Sequence, residues 1–101
     1  TVGSEQGKTR PVIVISQTPI NDRLPVVNVL PITSRKPGRR VYPNEALFDA
    51  GTANPPNESI VLCFEIRTLD KQRLIKHIGD RNNTNIQEAI VEALCFQLEI
   101  R

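Results

Sequence analysis

The sequence predicts a mainly β domain, in which about five short strands form a small twisted barrel and one C-terminal helix packs on it. Three observations predict this class. Several short runs are rich in β-branched residues and bounded by turn formers, one amphipathic helical pattern occurs near the C-terminal end, and helices do not alternate with strands as a doubly wound fold requires. The strand-like runs also exclude a helix bundle.

The first predicted element is a polar loop over residues 3–10 (GSEQGKTR) that leads into a buried strand. Pro11 ends the loop, and residues 12–15 are the continuous apolar run VIVI. Such a run between turn formers is typical of a strand that is buried on both faces. The loop carries Glu5 and Arg10, which suit a phosphate-handling site because a guanidinium matches phosphate oxygens and a carboxylate can accept a proton.

The central part of the chain predicts two further strands. Residues 17–24 (QTPINDRL) are rich in turn formers and predict a loop. Residues 25–31 (PVVNVLP) predict a strand that continues to an exposed polar end over residues 32–35. A weak alternation further on predicts a short strand around residues 46–48, and residues 51–58 (GTANPPNE) predict a loop.

The last part of the chain predicts the remaining strands and the one clear helix. Residues 59–69 (SIVLCFEIRTL) predict a strand, residues 70–72 a single helical turn, and residues 73–78 (RLIKHI) a short alternating strand. Residues 83–98 predict the helix, with an N-cap at the asparagines where it begins. The predicted apolar face of this helix consists of Ile86, Ala89, Ile90, Ala93, Leu94 and Leu98.

Composition and charge limit the class of protein. Apolar residues make up 39% of the chain and charged residues 24%, which is typical of a globular domain and not of a disordered one. No apolar run approaches the roughly 18 residues of a membrane-spanning helix, and we expect a cytoplasmic protein. The net charge of +2 permits nucleic-acid contact, whereas 4% aromatic residues argue against a base-stacking platform. Cys63 and Cys95 are expected to be buried thiols rather than a disulfide.

Three segments, in this order, point to a known family. They are GSEQGKTRPVIVIS at 3–16, VVNVLPITSR at 26–35 and SIVLCFEIRTLDKQRL at 59–74, and the terminal helix follows them. Over essentially the whole chain, taken as the single domain 1–101, the sequence resembles the MazF/PemK family of toxin endoribonucleases from bacterial toxin–antitoxin systems.

The resemblance implies the fold, the activity and the partners. The implied fold is an SH3-like barrel of the CcdB/MazF/PemK type that acts as a homodimer. The implied activity is metal-independent, sequence-selective cleavage of single-stranded RNA (mRNA), with no cofactor. The implied regulator is an antitoxin whose acidic, partly disordered tail covers the RNA groove, and any DNA contact occurs only through the toxin–antitoxin complex.

The resemblance also implies which residues act on RNA: the catalytic arginine falls on Arg10, the assisting threonine on Thr33 and the loop glutamate on Glu5. The 2′-hydroxyl of RNA can attack the adjacent phosphate when a base, a cation and a donor to the leaving 5′-oxygen are present. We expect Arg10 to stabilise the phosphorane charge, because a guanidinium stays protonated. We expect Thr33 to donate to a phosphate oxygen and Glu5 to act as a base or to orient Arg10. The expected products have 2′,3′-cyclic phosphate and 5′-hydroxyl ends.

Other polar and basic residues are predicted to bind RNA. Residues 35–40 form a basic stretch that can follow RNA phosphates, although a solvated charge run is the ordinary alternative. Thr33 likewise has an ordinary alternative as a strand threonine. The predicted RNA-binding set is Gln6, Lys8, Ser34, Arg35, Lys36, Arg39 and Arg40.

The sequence departs from the family pattern in two ways, and one rival function stays open. Family members begin with a strand before the first motif, and we expect that strand to be absent here. Some PemK-type members use His, Arg and Asp at positions that are Ser4, Leu62 and Phe64 here, so this chain supports only the Arg10 and Thr33 set. The rival function is a non-catalytic protein of the same fold, either a CcdB-like topoisomerase poison or an antitoxin-binding module, which needs neither residue.

Overall fold

Seven strands and two α-helices follow one another in the computed structural model, which describes residues 2–5, 10–49, 58–79 and 84–100. The strands are β1 (Val2–Glu5), β2 (Pro11–Val14), β3 (Val26–Ser34), β4 (Glu45–Asp49), β5 (Glu58–Leu62), β6 (Arg67–Asp70) and β7 (Leu74–Gly79). The helices are α1 (Thr18–Arg23) and α2 (Thr84–Leu98), and a 3-10 turn spans Lys71–Arg73. The predicted class, mainly β with a C-terminal helix, is confirmed.

The long strand β3 is the centre of one antiparallel sheet. The strands lie in the order β4-β5-β3-β2-β1-β7, and β6 also pairs with β3. Val12 lies opposite Pro31, and Ile32 lies opposite Val61. Pro31 therefore falls where β3 stops pairing with β2 and starts pairing with β5, the kind of irregular position at which a strand tolerates proline.

The sheet buries apolar side chains on both of its faces. Ile13 faces α2, whereas its neighbours Val12 and Val14 belong to a second cluster on the opposite face. Because successive side chains of a strand point to opposite faces, a strand covered on both sides needs an unbroken apolar run. The prediction that β2 is buried on both faces is confirmed. The second cluster consists of Val12, Val14, Val27, Val29 and Leu69.

The helix α2 packs its apolar side on the sheet. Ile86, Ile90 and Ala93 are buried there, and Ala89 and Leu94 are partly buried beside them. The predicted apolar face is therefore confirmed except at its last position, residue 98, which is exposed. Neither α2 nor any other helix among the described residues has the length and apolar character to cross a membrane.

Two segments predicted to be loops contain regular structure. Part of the predicted loop 3–10 belongs to β1, which pairs with β2 so that Gly3 lies opposite Val12. The predicted loop 17–24 contains α1, because Pro19 occupies the first turn of that helix, where a missing amide hydrogen breaks no helical bond. The amine of Lys71, far along the chain, donates a hydrogen bond to the carbonyl oxygen of Asn21 at 2.5 Å. The local sequence pattern predicts neither the pairing of β1 with β2 nor the contact between Lys71 and Asn21.

The single strand predicted over residues 59–69 is also wrong, because the chain turns between β5 and β6. At this turn the amide of Glu65 donates a hydrogen bond to the carbonyl oxygen of Leu62 at 3.1 Å. Cys63 is buried in the turn, so the apolar run continues through the bend. With β1 and this division, the described residues contain seven strands rather than about five.

The remaining predictions of local structure are either confirmed or concern residues that the structure does not describe. The strands predicted over 25–35, around 46–48 and over 73–78 are confirmed as β3, β4 and β7. The predicted helical turn appears as the 3-10 turn, shifted by one residue. Most of the predicted loop 51–58 and the predicted N-cap of α2 lie outside the described residues, although Glu58 begins β5.

Candidate active site

Arg10 and Thr33 line one cavity of about 420 Å³ at the surface of the sheet. The cavity lies where the beginning of β2, the end of β3, the strand β5 and the turn after β5 meet. Two of the three residues predicted to be catalytic therefore lie in the same cavity. It is also lined by Pro11, Ile32, Ser34, Ser59, Leu62 and Glu65.

The pairing of β2 with β3 explains why Arg10 and Thr33 line the same cavity. Val12 opposite Pro31 is the last pair of this ladder, and Arg10 and Thr33 each lie two residues beyond it, at the same end of the two strands. Thr33 is exposed, whereas Ile32 before it is buried.

The Arg10 guanidinium is available to bind an anion. Arg10 is exposed, and its side chain has no hydrogen bond or ion pair with any described residue. Thr33 and Ser34 are exposed as well and contribute hydroxyl groups to the same cavity. A guanidinium beside hydroxyl donors is an arrangement that binds phosphate oxygens.

Ser59 and Glu65 are cavity residues that the sequence did not predict. Ser59 lies opposite Ser34 in the ladder between β3 and β5. Glu65 follows β5 in the turn, with its Oε2 3.6 Å from Nη2 of Arg67. No local signal marks either residue, because strand pairing brings them to the cavity. Glu65 adds a carboxylate to a cavity that already contains a cation.

The rest of the first motif is only partly described. The backbone of Glu5 ends β1 opposite Leu74. The side chain of Glu5 lies outside the described residues, as do Gln6 and Lys8. The catalytic role predicted for Glu5 and the RNA-binding roles predicted for Gln6 and Lys8 therefore stay predictions.

The basic loop, which we define as residues 35–44 between β3 and β4, folds around a buried carboxylate. The side chain of Glu45 is 2% exposed and accepts hydrogen bonds from Arg39 Nη1 at 3.0 Å and Nη2 at 2.8 Å. It also accepts one from the backbone amide of Tyr42 at 3.0 Å. The guanidinium of Arg39 lies over the Tyr42 ring, with its Cζ 5.8 Å from the ring centroid. Glu45 thus anchors one end of the loop.

The four cations of the basic loop differ in what they contact. Arg39 pairs with Glu45, and Arg35 pairs with Glu58 at 3.4 Å while its Nε donates to the carbonyl oxygen of Arg39 at 3.0 Å. Lys36 and Arg40 are exposed, and neither side chain has a hydrogen bond or ion pair within the described ranges. The RNA-binding roles predicted for all four stay predictions, and two of the four already pair with carboxylates.

The pairing of Glu45 is expected to make the stability of the fold depend on pH. Hydrogen bonding by Arg39 lowers the pKa of Glu45, against the opposing effect of burial. A carboxyl group whose pKa is lower in the folded state stabilises the fold above its unfolded pKa of about 4.3, and that stabilisation is lost as the pH falls through the folded pKa. The free energy of unfolding of the parent protein should therefore fall more steeply than that of Glu45→Gln below about pH 5, as measured by urea unfolding. Parallel pH profiles for the two proteins would contradict this prediction.

The described residues offer little other chemistry. No group of three or more His, Cys, Asp or Glu side chains among them is placed to bind a metal ion. Cys63 and Cys95 are free thiols, buried and half-buried respectively. Burial, with a contribution from the charge of Glu45, raises the pKa of Cys63 to about 11. Since the thiolate is the reactive form of cysteine and Cys63 has no exposed surface, we expect this thiol to react slowly at neutral pH.

Comparison with known proteins gives consistent similarities in sequence. The family model of the PemK-like, MazF-like toxins of type II toxin–antitoxin systems matches residues 1–98. The chain is 37% identical over 98 residues to the endoribonuclease EndoA of Bacillus subtilis, an alignment that covers 94% of this chain and 84% of EndoA. It is 33% identical over 91 residues to the endoribonuclease MazF of Staphylococcus saprophyticus, covering 87% of this chain and 75% of that protein.

Solved structures give a consistent similarity in fold. The Mycobacterium tuberculosis toxin MazF-mt6 superposes with a TM-score of 0.82 at 25% identity, covering 99% of this chain and 97% of that one. A mycobacterial endoribonuclease in complex with its cognate antitoxin superposes with a TM-score of 0.79 at 22% identity, covering 99% and 92%. The second likeness concerns the fold alone.

Proposed function

The chain belongs to the PemK-like, MazF-like toxin family of type II toxin–antitoxin systems and is an endoribonuclease, and we propose that it cleaves single-stranded RNA without a metal ion at the cavity lined by Arg10 and Thr33. One observation carries this proposal. The Arg10 guanidinium is exposed, has no partner among the described residues, and shares its cavity with the hydroxyl of Thr33. The endoribonuclease relatives support RNA as the substrate.

The proposed reaction is an internal transesterification of RNA. The 2′-oxygen forms a bond to the adjacent phosphorus, the bond from that phosphorus to the 5′-oxygen breaks, and the products carry a 2′,3′-cyclic phosphate and a 5′-hydroxyl. Arg10 stabilises the negative charge that develops on the phosphorane oxygens, as preorganised cationic donors do. Thr33 donates its hydroxyl to a phosphate oxygen from the neighbouring strand.

A proton must leave the 2′-hydroxyl and another must reach the 5′-oxygen. Glu5 is the proposed base, or else the residue that orients Arg10. Glu65 is a second candidate base, because its carboxylate lines the same cavity. A general base must come within hydrogen-bond reach of the proton that it removes, about 2.6–3.2 Å between heavy atoms, which a complex with uncleavable RNA would measure.

The proposed partners follow from the family. A type II toxin has a cognate antitoxin, and we propose that this antitoxin covers the RNA-binding surface with an acidic, partly disordered tail. The exposed cations Arg10, Lys36 and Arg40 are the groups that such a tail would contact. A homodimeric state, a cytoplasmic location and DNA contact only through the toxin–antitoxin complex belong to the same proposal.

Metal-free incubation with RNA tests the proposed function. Purified protein is incubated in EDTA with mixed-sequence single-stranded RNA, and the product ends are mapped. We expect discrete cuts with 2′,3′-cyclic phosphate and 5′-hydroxyl ends. A folded protein that makes no cuts, or cuts only after Mg²⁺ is added, would contradict the proposal. The rival function, a topoisomerase poison or an antitoxin-binding module, predicts no cuts under either condition.

Replacing Thr33 by valine is expected to slow cleavage about 100-fold, the usual effect of removing one donor to a developing oxyanion. Valine has nearly the shape of threonine and is favoured in strands, so the fold should be retained. Single-turnover cleavage of the mapped RNA measures the rate. Thr68→Val is the matched control, because Thr68 is an exposed strand threonine outside the cavity. Equal rates for the two variants would support the alternative reading of Thr33 as a strand residue.

A further inference from the structure

The basic loop has a defined shape and begins directly after the cavity. Ser34 lines the cavity, and Arg35 is the first residue of the loop. The amide of Arg39 donates to the carbonyl oxygen of Lys36 at 3.0 Å, across a turn in which Gly38 has a φ of +80°. Glycine adopts this left-handed backbone at no steric cost. The loop is therefore fixed at the turn as well as at Glu45.

We propose that Glu45 is a positioning residue, which holds the basic loop in the shape that binds RNA, and that Lys36 and Arg40 are the cations of the loop that contact RNA phosphates. This inference rests on the proposed function above. The four cations of the basic loop therefore have two different roles. Arg35 and Arg39 hold the loop, whereas Lys36 and Arg40 bind the phosphates of RNA.

The contacts of the four cations carry this division. Two donors of Arg39 are taken by a carboxylate whose side chain is 2% exposed, and breaking that pair would leave a buried charge without its partner. Arg35 is held both by Glu58 and by the carbonyl oxygen of Arg39. Lys36 and Arg40 are exposed and have no such partners among the described residues, so they can meet a phosphate without losing a contact.

The position of the loop fits this role. Lys36 is three residues from Thr33, so their Cα atoms are at most about 11 Å apart. An RNA strand whose scissile phosphate lies between Arg10 and Thr33 has neighbouring phosphates within reach of the loop. Phosphate contacts of this kind fix the register of the nucleic acid without reading its sequence.

Glu45→Gln separates positioning from charge. The substitution removes a negative charge from a basic segment, so charge alone predicts tighter RNA binding. Because the amide cannot hold Arg39 as the carboxylate does, positioning predicts weaker binding. We expect KM to rise about tenfold through lost preorganisation, with kcat unchanged because Arg10 and Thr33 are untouched.

The salt dependence of binding tests the two cations. The probe is the mapped RNA with a 2′-deoxy residue at the cleaved position, which binds but cannot be cut. Lys36→Ala and Arg40→Ala should each reduce the slope of log K against log salt concentration by about 0.7, the contribution of one phosphate contact in a single strand. Arg23→Ala is the matched control, because α1 follows β2 whereas Arg10 precedes it, at the opposite end of that strand. Its slope should equal that of the parent protein.

The outcomes distinguish the inference from the proposed function. The inference is wrong if Glu45→Gln binds RNA at least as tightly as the parent protein and the salt slopes of Lys36→Ala and Arg40→Ala are unchanged. If the parent protein cleaves RNA in that case, the proposed function stands. If Glu45→Gln does not fold, Gly38→Ala replaces it, since it strains the turn without altering any charge. A tenfold rise in KM for that variant supports the inference, and unchanged binding overturns it. A parent protein that neither binds nor cleaves RNA overturns both.

Discussion

Arg10→Ala is expected to lower the rate of RNA cleavage by at least about 1,000-fold, while the protein stays folded. The transition state carries extra negative charge on the phosphoryl oxygens, and no other described cation lines the cavity beside Arg10. Single-turnover cleavage of the mapped RNA in EDTA measures the rate. Because Arg10 is exposed and unpaired among the described residues, the free energy of unfolding should change by less than about 0.5 kcal/mol.

Two controls make this result specific. Arg23→Ala removes an exposed arginine from α1 and should cleave at the parental rate. Arg10→Lys keeps the charge but loses the planar pair of donors that matches a phosphate, so its rate should lie between those of the parent and Arg10→Ala. An Arg10→Ala variant that cuts RNA at the parental rate would remove Arg10 from the reaction and leave the catalytic assignment without its main residue.

Ile13→Ala is expected to lower the free energy of unfolding by about 3 kcal/mol, in the range found for fully buried isoleucine and leucine side chains. Ile13 has no exposed surface and packs in the cluster between the sheet and α2. The substitution leaves a cavity there, and the strands and helix around it can collapse only in part. Urea unfolding with a linear extrapolation measures the change.

Ile20→Ala is the matched control for this stability prediction. Ile20 is 47% exposed on α1, and alanine is a good helix former. Its free energy of unfolding should stay within about 0.5 kcal/mol of the parent value. If both isoleucine variants lose the same free energy, burial in the cluster under α2 is not what makes Ile13 important.

The sequence predicts well those elements whose periodicity reflects burial. Residues 12–15 show no polar alternation, and β2 is indeed covered on both sides. The spacing of Ile86 and Ile90 likewise matches the face of α2 that is buried. The prediction was wrong where turn-forming residues occur in a helix. Pro19 indicated a loop, but it lies in the first turn of α1, where proline breaks no helical hydrogen bond.

The sequence likewise predicted some residues of the candidate site and missed others. The motifs that contain Arg10 and Thr33 resemble a known family, which is why the sequence predicts a shared site; the two residues line one cavity, and their roles stay predictions. Ser59 and Glu65 could not be predicted, because their place in the cavity depends on how β5 pairs with β3. The anchoring role inferred for Glu45 was equally invisible, since a lone carboxylate before a short strand gives no sign of burial.

The central position of β3 also affects when the enzyme can first work during its synthesis. The chain is made from its N-terminal end at about 5–20 residues per second, so Arg10 and Thr33 emerge long before the opposite wall of the cavity. That wall contains Ser59, Leu62 and Glu65, and β3 is paired along both edges only after β5 and β6 have been made. A growing chain on the ribosome therefore contains Arg10 and Thr33 before the cavity that they line is complete. The proposed cleavage of RNA therefore requires that the chain has been made at least as far as Glu65.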